Sequence, residues 1–400
     1  MKLKLFLLAT SAVALASCSS DAVVEDNAAG NAIQFSATAN QASRAADYYC
    51  NNALPADFHV WASVNKKQYF ADEVYAQGTT ELTKTTYSIK NGVERYWPNE
   101  EISFWALKNH QNQVWNVNGM TTKFTVAGAA ADQNDLIYAY TKATRAHVTD
   151  GKAPINFRHA LSQIVFQAKN DNPKIRVKID KVEVVNVAGT GVFTLPDGDN
   201  VTNANVNYHG QAEASAAKTG LGSWVNEAAN KTFTTGDFGL TLIKNTVTNL
   251  TNNRFGIAEH ETANPTHSLL LLPQEIAALD LKNKSKGDVL TALNGGAHFL
   301  VYCTIQNVAG GNEDDDVYLW ADKTTENVIK TKAIAIPVNQ TAAVYTWKQG
   351  KKYIYTFNFT NNGHGGFDPG TGEDVLIPIS FTVTVDDFTE VDAGNIDIDK

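Results

Sequence analysis

Apolar and polar positions alternate over short stretches along most of this chain. A period of two is the signature of half-buried strands. The first stretch is Ile33-Gln34-Phe35-Ser36-Ala37-Thr38, with Ile33, Phe35 and Ala37 on one face and Gln34, Ser36 and Thr38 on the other. Residues 58–62, Ile102-Phe104-Ala106 and residues 136–140 predict further strands. Tyr87-Ser88-Ile89 and Arg95-Tyr96-Trp97 flank Asn91-Gly92, which predicts a hairpin. Ile155 and Phe157 alternate into Arg158-His159-Ala160-Leu161-Ser162, after which Ile164 and Phe166 resume the pattern. Val177, Ile179, Val182 and Val184 change phase between Ile179 and Val182, as a bulge requires. Phe193 and Leu195 then run into the turn Pro196-Asp197-Gly198-Asp199, where a domain boundary is expected.

The second half has the same style. Phe238-Leu240-Leu242, residues 269–272, Phe299-Val301-Cys303 and Ile334-Ile336 predict strands. A tight turn at residues 347–352 leads into Tyr353, Tyr355, Phe357 and Phe359 on one face. The last long alternation is Ile377, Ile379, Phe381, Val383 and Val385. Residues 275–281 alone read as helical, with Pro273 tolerated just before a helix start. Many short strands separated by turn residues predict an all-β chain of two β-sandwich domains in tandem, over residues 31–196 and 197–400. No strict repeat argues for a solenoid or propeller.

The N-terminus departs from this pattern. Lys2 and Lys4 precede an apolar run at residues 5–16, which ends in Leu15-Ala16-Ser17-Cys18. The run has the length of a signal-peptide core and falls short of the roughly 20 residues of a membrane span. Small residues before Cys18 look like a bacterial lipobox, in which the Cys18 thiol takes a diacylglyceryl group. Residues 1–17 are then the signal peptide and residues 18–30, with Asp21, Glu25 and Asp26, an acidic tether. A start at Cys18 changes the formal charge from −9 to −11, because Lys2 and Lys4 are lost. Two or more lipid chains hold a protein stably on a membrane. The expected protein is therefore anchored to a membrane by lipid and does not span it.

Composition narrows the function. Hydrophobic residues make up 43% of the 400 and charged residues 19%, enough apolar material for sizeable cores. A net charge of −9 argues against nucleic acid as a partner, since phosphate binders need a basic face. Three cysteines exclude a disulfide scaffold. No GxSxG elbow, HExxH helix, P-loop or dinucleotide fingerprint is present, so neither an enzyme nor a cofactor is expected. The acidic stretches at residues 313–316 and 368–374 offer oxygen ligands of the kind calcium takes, but not in EF-hand order. Cys50 and Cys303 lie in different expected domains. His159 reads as structural, and Trp61, Trp97, Trp105 and Trp347 as core residues or as glycan-facing aromatics.

Several short motifs recur in a characteristic order: the lipobox ending in Cys18, the strand from Ile33 followed by Ser43-Arg44-Ala45, and Tyr96-Trp97-Pro98. Phe157-Arg158-His159-Ala160-Leu161-Ser162-Gln163-Ile164-Val165-Phe166, Leu270-Leu271-Leu272-Pro273-Gln274 and Gly350-Lys351-Lys352-Tyr353-Ile354-Tyr355 follow. Over nearly the whole mature chain the sequence resembles the fimbrillin family, the type V pilus subunits of Bacteroidia. The resemblance implies transthyretin-like sandwiches and an assembly route. The lipoprotein precursor reaches the surface, an arginine-directed, trypsin-like protease cuts after Arg44 to leave Ala45 at the start, and the first strand (residues 31–44) is lost. A C-terminal strand of a neighbouring subunit then fills the groove. The implied partners are other copies of the chain, anchor and tip subunits, the protease and the outer membrane.

Residue chemistry agrees with this route. Loss of Ile33, Phe35 and Ala37 exposes an apolar slot rimmed by unpaired backbone groups, and exposed edges recruit strands. Two donors are available within residues 375–400. One is the alternation Ile377, Ile379, Phe381, Val383 and Val385; the other is the weaker series Phe388, Val391, Ile396 and Ile398. Arg44 sits in a polar stretch between small residues, whereas Arg145 lies between internal strands. The competing readings are a monomeric surface lipoprotein that binds glycans or host ligands, a tip adhesin, and a secreted hydrolase.

Overall fold

The computed structural model describes residues 32–39, 54–77, 86–116, 119–197, 222–251, 268–308, 317–326, 328–340, 344–360, 365–375, 377 and 379–387. The architecture is all-β, as the alternation predicts. Seven strands close into a barrel: β1 (Gln34–Ala39), β2 (Asp57–Val64), β3 (Lys67–Ala76), β4 (Thr86–Ile89), β5 (Ile102–Lys108), β8 (Ile137–Ala143) and β9 (Lys152–His159). Their order around the wall is β1-β4-β3-β2-β5-β8-β9. Closure depends on β1, which pairs parallel with β9 and antiparallel with β4. The interior holds Phe58, Val60, Phe104, Ala106, Ala139, Ile155 and Phe157.

The staves β2, β5 and β8 are buried on both faces. Ile102 and Phe104 of β5 point into the barrel, while its Trp105 and Leu107 point outward into a second, larger core. A four-stranded sheet covers this outer wall, in the order β13 (Ser223–Asn226), β12 (Thr190–Thr194), β7 (Gly119–Thr125), β6 (Gln113–Asn116). Tyr138 of β8 meets Phe193 of β12 edge-on at 4.8 Å. Trp105 Nε1 donates to the Pro196 carbonyl at 2.9 Å.

The rest of the large core lies between two facing sheets. One contains β16 (Val247–Asn249), β10 (Ser162–Asn170), β25 (Lys351–Phe359) and β26 (Ile379–Asp387) in that order, with β17 (Leu269–Leu271) also on β10. The other runs β14 (Lys231–Thr234), β11 (Ile175–Val187), β19 (His298–Asn307), β20 (Val317–Trp320), with β15 (Leu240–Thr241) on β11 and β23 (Lys332–Pro337) on β19. Phe166 of β10 joins them, edge-on to Phe299 at 5.4 Å and stacked on Phe357 at 5.9 Å. The pairing of β11 with β19 shifts register between Ile179 and Lys181, where the sequence changes phase. Strand β10 lies before the boundary expected at Pro196, yet it hydrogen-bonds the C-terminal β25 along its length. Two short pairs complete the strands described: β18 (Gln274–Ile276) with β24 (Tyr345–Trp347), and β21 (Asp322–Lys323) with β22 (Ile329–Lys330).

Two local expectations change. Residues 275–281 are not helical: Gln274, Glu275 and Ile276 form β18 and pair with Trp347, Thr346 and Tyr345. Cross-strand pairing overrides a weak helical pattern there. The α-helix described is α1 (Lys286–Gly295), capped by Ser285, whose side chain accepts from the Asp288 N–H. It buries only Val289 and Leu293 among these residues, too thin a stripe to read from sequence. The Asn91-Gly92 turn forms with both residues at positive φ, but the segment after it does not fold back on β4. Instead the Arg95 carbonyl accepts from the Ile33 N–H at 2.7 Å, and Tyr96 bridges Ala32.

Candidate functional site

The site is the slot that β1 fills. Its parallel register with β9 runs from Gln34 opposite Lys152 to Ala39 opposite Phe157. On the other flank only Phe35 and Ser36 pair with β4, opposite Tyr87 and Thr86. Ile33, Phe35 and Ala37 are 3%, 0% and 2% exposed, so the inward face predicted from sequence is fully inside. Gln34 and Ser36 on the outer face are half-buried. β1 lies across the barrel from β5, on the wall that the larger core does not cover.

Phe35 is the centre of the slot. Its ring meets Phe104 edge-on at 5.6 Å and Phe58 at 6.4 Å. Phe58 in turn packs on Tyr87 at 4.8 Å and on Phe157 at 4.9 Å. Trp97 closes one side against Phe104, with its Nε1 donating to the Gly151 carbonyl at 3.0 Å. Tyr87 OH donates to the Pro55 carbonyl at 2.7 Å, satisfying a hydroxyl in a buried position. These lining residues had a sequence signal only as inward members of separate strands. Their convergence depends on closure of the barrel.

Among the expected donor residues, Ile379 and Val383 are buried in the larger core, Val385 packs against it, and Ile377 is 9% exposed just before β26. Phe381 stands opposite Phe357 in the register of β26 with β25. β26 is the edge strand of its sheet. Cys18, Arg44, Ala45, Cys50, Phe388, Val391, Ile396, Ile398 and the acidic residues 313–316 lie outside the described residues.

Other candidates resolve into structural roles. Arg145 sits in a single 3-10 turn (Arg145–His147), not the extended backbone that a protease cleft accepts. His159 Nδ1 and Asp135 Oδ2 are 2.6 Å apart in a buried pair at the joint between barrel and sandwich. The same joint is tied by Gly350 N–H to the Leu161 carbonyl and by Trp224 Nε1 to the Ala160 carbonyl. The loop at 368–374 is closed by its own groups: Asp368 bonds Lys332 at 2.6 Å and accepts from the Gly370 N–H, and Glu373 pairs with Lys286. Burial raises the Asp368 carboxyl, but the Lys332 and Gly370 bonds outweigh it and hold it below its usual range. Among the described residues no group of His, Cys, Asp and Glu is placed to hold a metal. Cys303 is a buried free thiol, and burial pushes its pKa up. Trp61, Trp97, Trp105 and Trp347 are all buried, which removes them as platforms for a sugar.

One ionisable cluster lies on the outer barrel surface. His59 bonds Glu73 at 2.9 Å and stacks on Trp61, and His110 packs edge-on against both rings. Burial, then the charges of His59 and Lys108, push the His110 imidazole down to about 4. The bonds from Lys90 and Tyr75 hold Glu73 at about 2.

A family model described as fimbrillin-like matches residues 22–227. Solved structures that match the chain include a fimbrial protein from Bacteroides vulgatus, with a TM-score of 0.49 and 12% identity, covering 89% of this chain and 99% of that one. A Bacteroides uniformis protein provisionally assigned to cell adhesion has a TM-score of 0.46 and 12% identity, covering 90% and 99%. One of the same description from Bacteroides ovatus has a TM-score of 0.43 and 14% identity, covering 90% and 98%. No curated protein sequence matches at a significant level.

Proposed function

Because the chain belongs to the fimbrillin-like family, we propose that it is a structural subunit of a cell-surface pilus, exported as a lipoprotein and polymerised by strand exchange. Strand β1 is the observation that carries this reading. It is at the N-terminal end of the barrel, fully buried on one face, held by only two register pairs on its β4 flank, and on the uncovered wall. Cleavage after Arg44 disconnects it from β2. Its departure leaves β9 and β4 as unpaired edges around an apolar slot, which a strand from a neighbouring copy fills with its own alternate side chains.

In this scheme Cys18 carries the lipid that holds the precursor at the outer membrane until the cut. Ala45 becomes the new start, and release from the anchor is coupled to opening of the slot. The partners are further copies, the anchor and tip subunits and an arginine-specific protease. The role is mechanical and adhesive, without catalysis.

The test is intact mass and N-terminal sequencing of the protein taken from the native cell surface. A start at Ala45 in a high-mass species that resists mild denaturation is the expected result. A lipidated start at Cys18 on a monomer that trypsin-like treatment leaves unchanged refutes the proposal and favours a ligand-binding lipoprotein.

A further inference from the structure

We propose that the four-stranded sheet over the outer barrel wall associates with a second copy of the chain, edge to edge. The open edge β6 of one copy takes the open edge β13 of the next, antiparallel, with Val114 opposite Val225 and Trp115 opposite Trp224. β6 and β13 are the two ends of this sheet, and among the described residues neither has a strand on its outer flank. Neither edge lies in the slot that β1 fills, so the contact is open to the uncut chain.

The first observation is the side-chain pattern. The registers put Val114, Thr121, Thr194 and Ser223 in one row and Lys123, Val192 and Val225 in the next, all on the face turned away from the barrel. At the two edges Val114 and Val225 are 56% and 69% exposed. Trp115 and Trp224 alternate onto the opposite face, where both pack against the larger core. β6 reads Gln-Val-Trp-Asn and β13 reads Ser-Trp-Val-Asn, so antiparallel strands set valine on valine and tryptophan on tryptophan. Neither strand contains a charge or a proline, the usual devices that keep an edge from pairing.

The second observation is the phase of the backbone. Glu227 N–H donates to the Thr190 carbonyl at 2.9 Å, and Lys123 N–H donates to the Asn112 carbonyl at 3.4 Å. Bonded pairs alternate along an antiparallel ladder, so Val225 and Ser223 direct their backbone groups to β12, and Val114 directs its own to β7. Trp224 and Asn226 on one edge, and Gln113 and Trp115 on the other, turn theirs outward. Pairing Gln113 with Asn226 and Trp115 with Trp224 satisfies these groups in the same register that matches the side chains. That register also keeps both barrels on one side of the joined sheet. Two copies of β6 about a two-fold axis match in phase over three residues, but each tryptophan then faces a glutamine. Two copies of β13 likewise set each tryptophan against an asparagine. Because the favoured contact joins two different edges, each end stays open and the association propagates.

The experiment uses the uncut full chain with Cys18→Ser and Cys50→Ser, which leaves the buried Cys303 as the remaining native thiol. Val114→Cys chains labelled with ¹⁵N are mixed in equal amount with unlabelled Val225→Cys chains and mildly oxidised, and mass spectrometry reads the disulfides. In the proposed register these two positions lie between bonded pairs, with Cα atoms about 4.5 Å apart, within disulfide reach. Within one chain the two edges stand three strand spacings apart, about 14 Å, so no internal bond competes. The expected product is mixed-label dimer far beyond the twofold excess over either same-label dimer that random pairing gives. A chain carrying both substitutions should give a ladder of oligomers. Same-label dimers in excess of mixed ones overturn the register in favour of a two-fold contact. The control pairs Val225→Cys with Ile243→Cys, an exposed position on the sandwich. A mixed-dimer yield no higher than in that control overturns the association surface itself.

Discussion

Replacing Phe35 by alanine tests the structural premise that β1 is an integral stave of the barrel. The ring is fully buried and touches Phe58 and Phe104. Burial of a phenylalanine contributes about 1.5–3 kcal/mol, and the cavity left among aromatic neighbours raises the expected loss to about 3–5 kcal/mol. That is a large fraction of a domain stability of about 5–15 kcal/mol. Ile33→Val, removing one methyl group at the edge of the same slot, costs about 0.5–1.5 kcal/mol and supplies a graded point if Phe35→Ala proves too unstable to purify. Gln34→Ala, on the half-buried outer face, serves as a control near zero. Urea denaturation followed by tryptophan fluorescence reads all three, because Trp97 lines the slot against Phe104. A loss below about 1 kcal/mol for Phe35→Ala refutes the premise, because the barrel would then be complete without β1. The same substitution should also speed release of the first-strand peptide after the proposed cut at Arg44.

Three further outcomes follow. His159→Ala strips the buried Asp135 carboxylate of its 2.6 Å partner, and a thermal or urea measurement should show a loss of about 3–5 kcal/mol. An unfolded histidine titrates near 6.5 and His110 near 4, so the unfolded chain holds the extra proton between those values. Stability should therefore fall as the pH drops from about 6.5 to about 4, less so in His110→Phe, and an NMR titration of His110 near 6.5 would contradict this. Gly366 has φ +81°, and an added Cβ would lie 2.8 Å from the Ala335 carbonyl oxygen, so Gly366→Ala should cost more than about 1 kcal/mol by urea denaturation.

Much of the strand inventory was legible because period-two alternation survives in sequence. Lys152–His159 reads inward at every second residue, and it packs that way. The bulge in β11 was legible as a phase change at Ile179. Pairing was not legible. Nothing in Ile33–Thr38 announces that its longest ladder is parallel and to β9, more than a hundred residues away. Trp105 and Tyr138 alternate like residues on a solvent face, yet they carry a second core, because β6 and β7, which lie between β5 and β8 in the chain, join the more distant β12 and β13 in a sheet that covers them. Helix α1 was missed because its polar sequence leans on tertiary contacts with Leu279, Leu281 and Phe367. The slot itself was half legible: its occupant showed in the pattern, its walls did not.

The return of β26 to the barrel end has a mechanical consequence. In the proposed strand-exchanged fibre, tension pulls each subunit between its barrel and its C-terminal segment. In the sandwich these attachment points are the start of β10 and the end of β26, on one row with Lys352 between them. The load crosses the width of three strands, about 10 Å, and does not travel down the body. The far end, where Asn170, Phe359 and Ile379 lie, hangs outside the line of force. In that proposed arrangement, changes in the length and chemistry of loops at that end leave the loaded strands untouched.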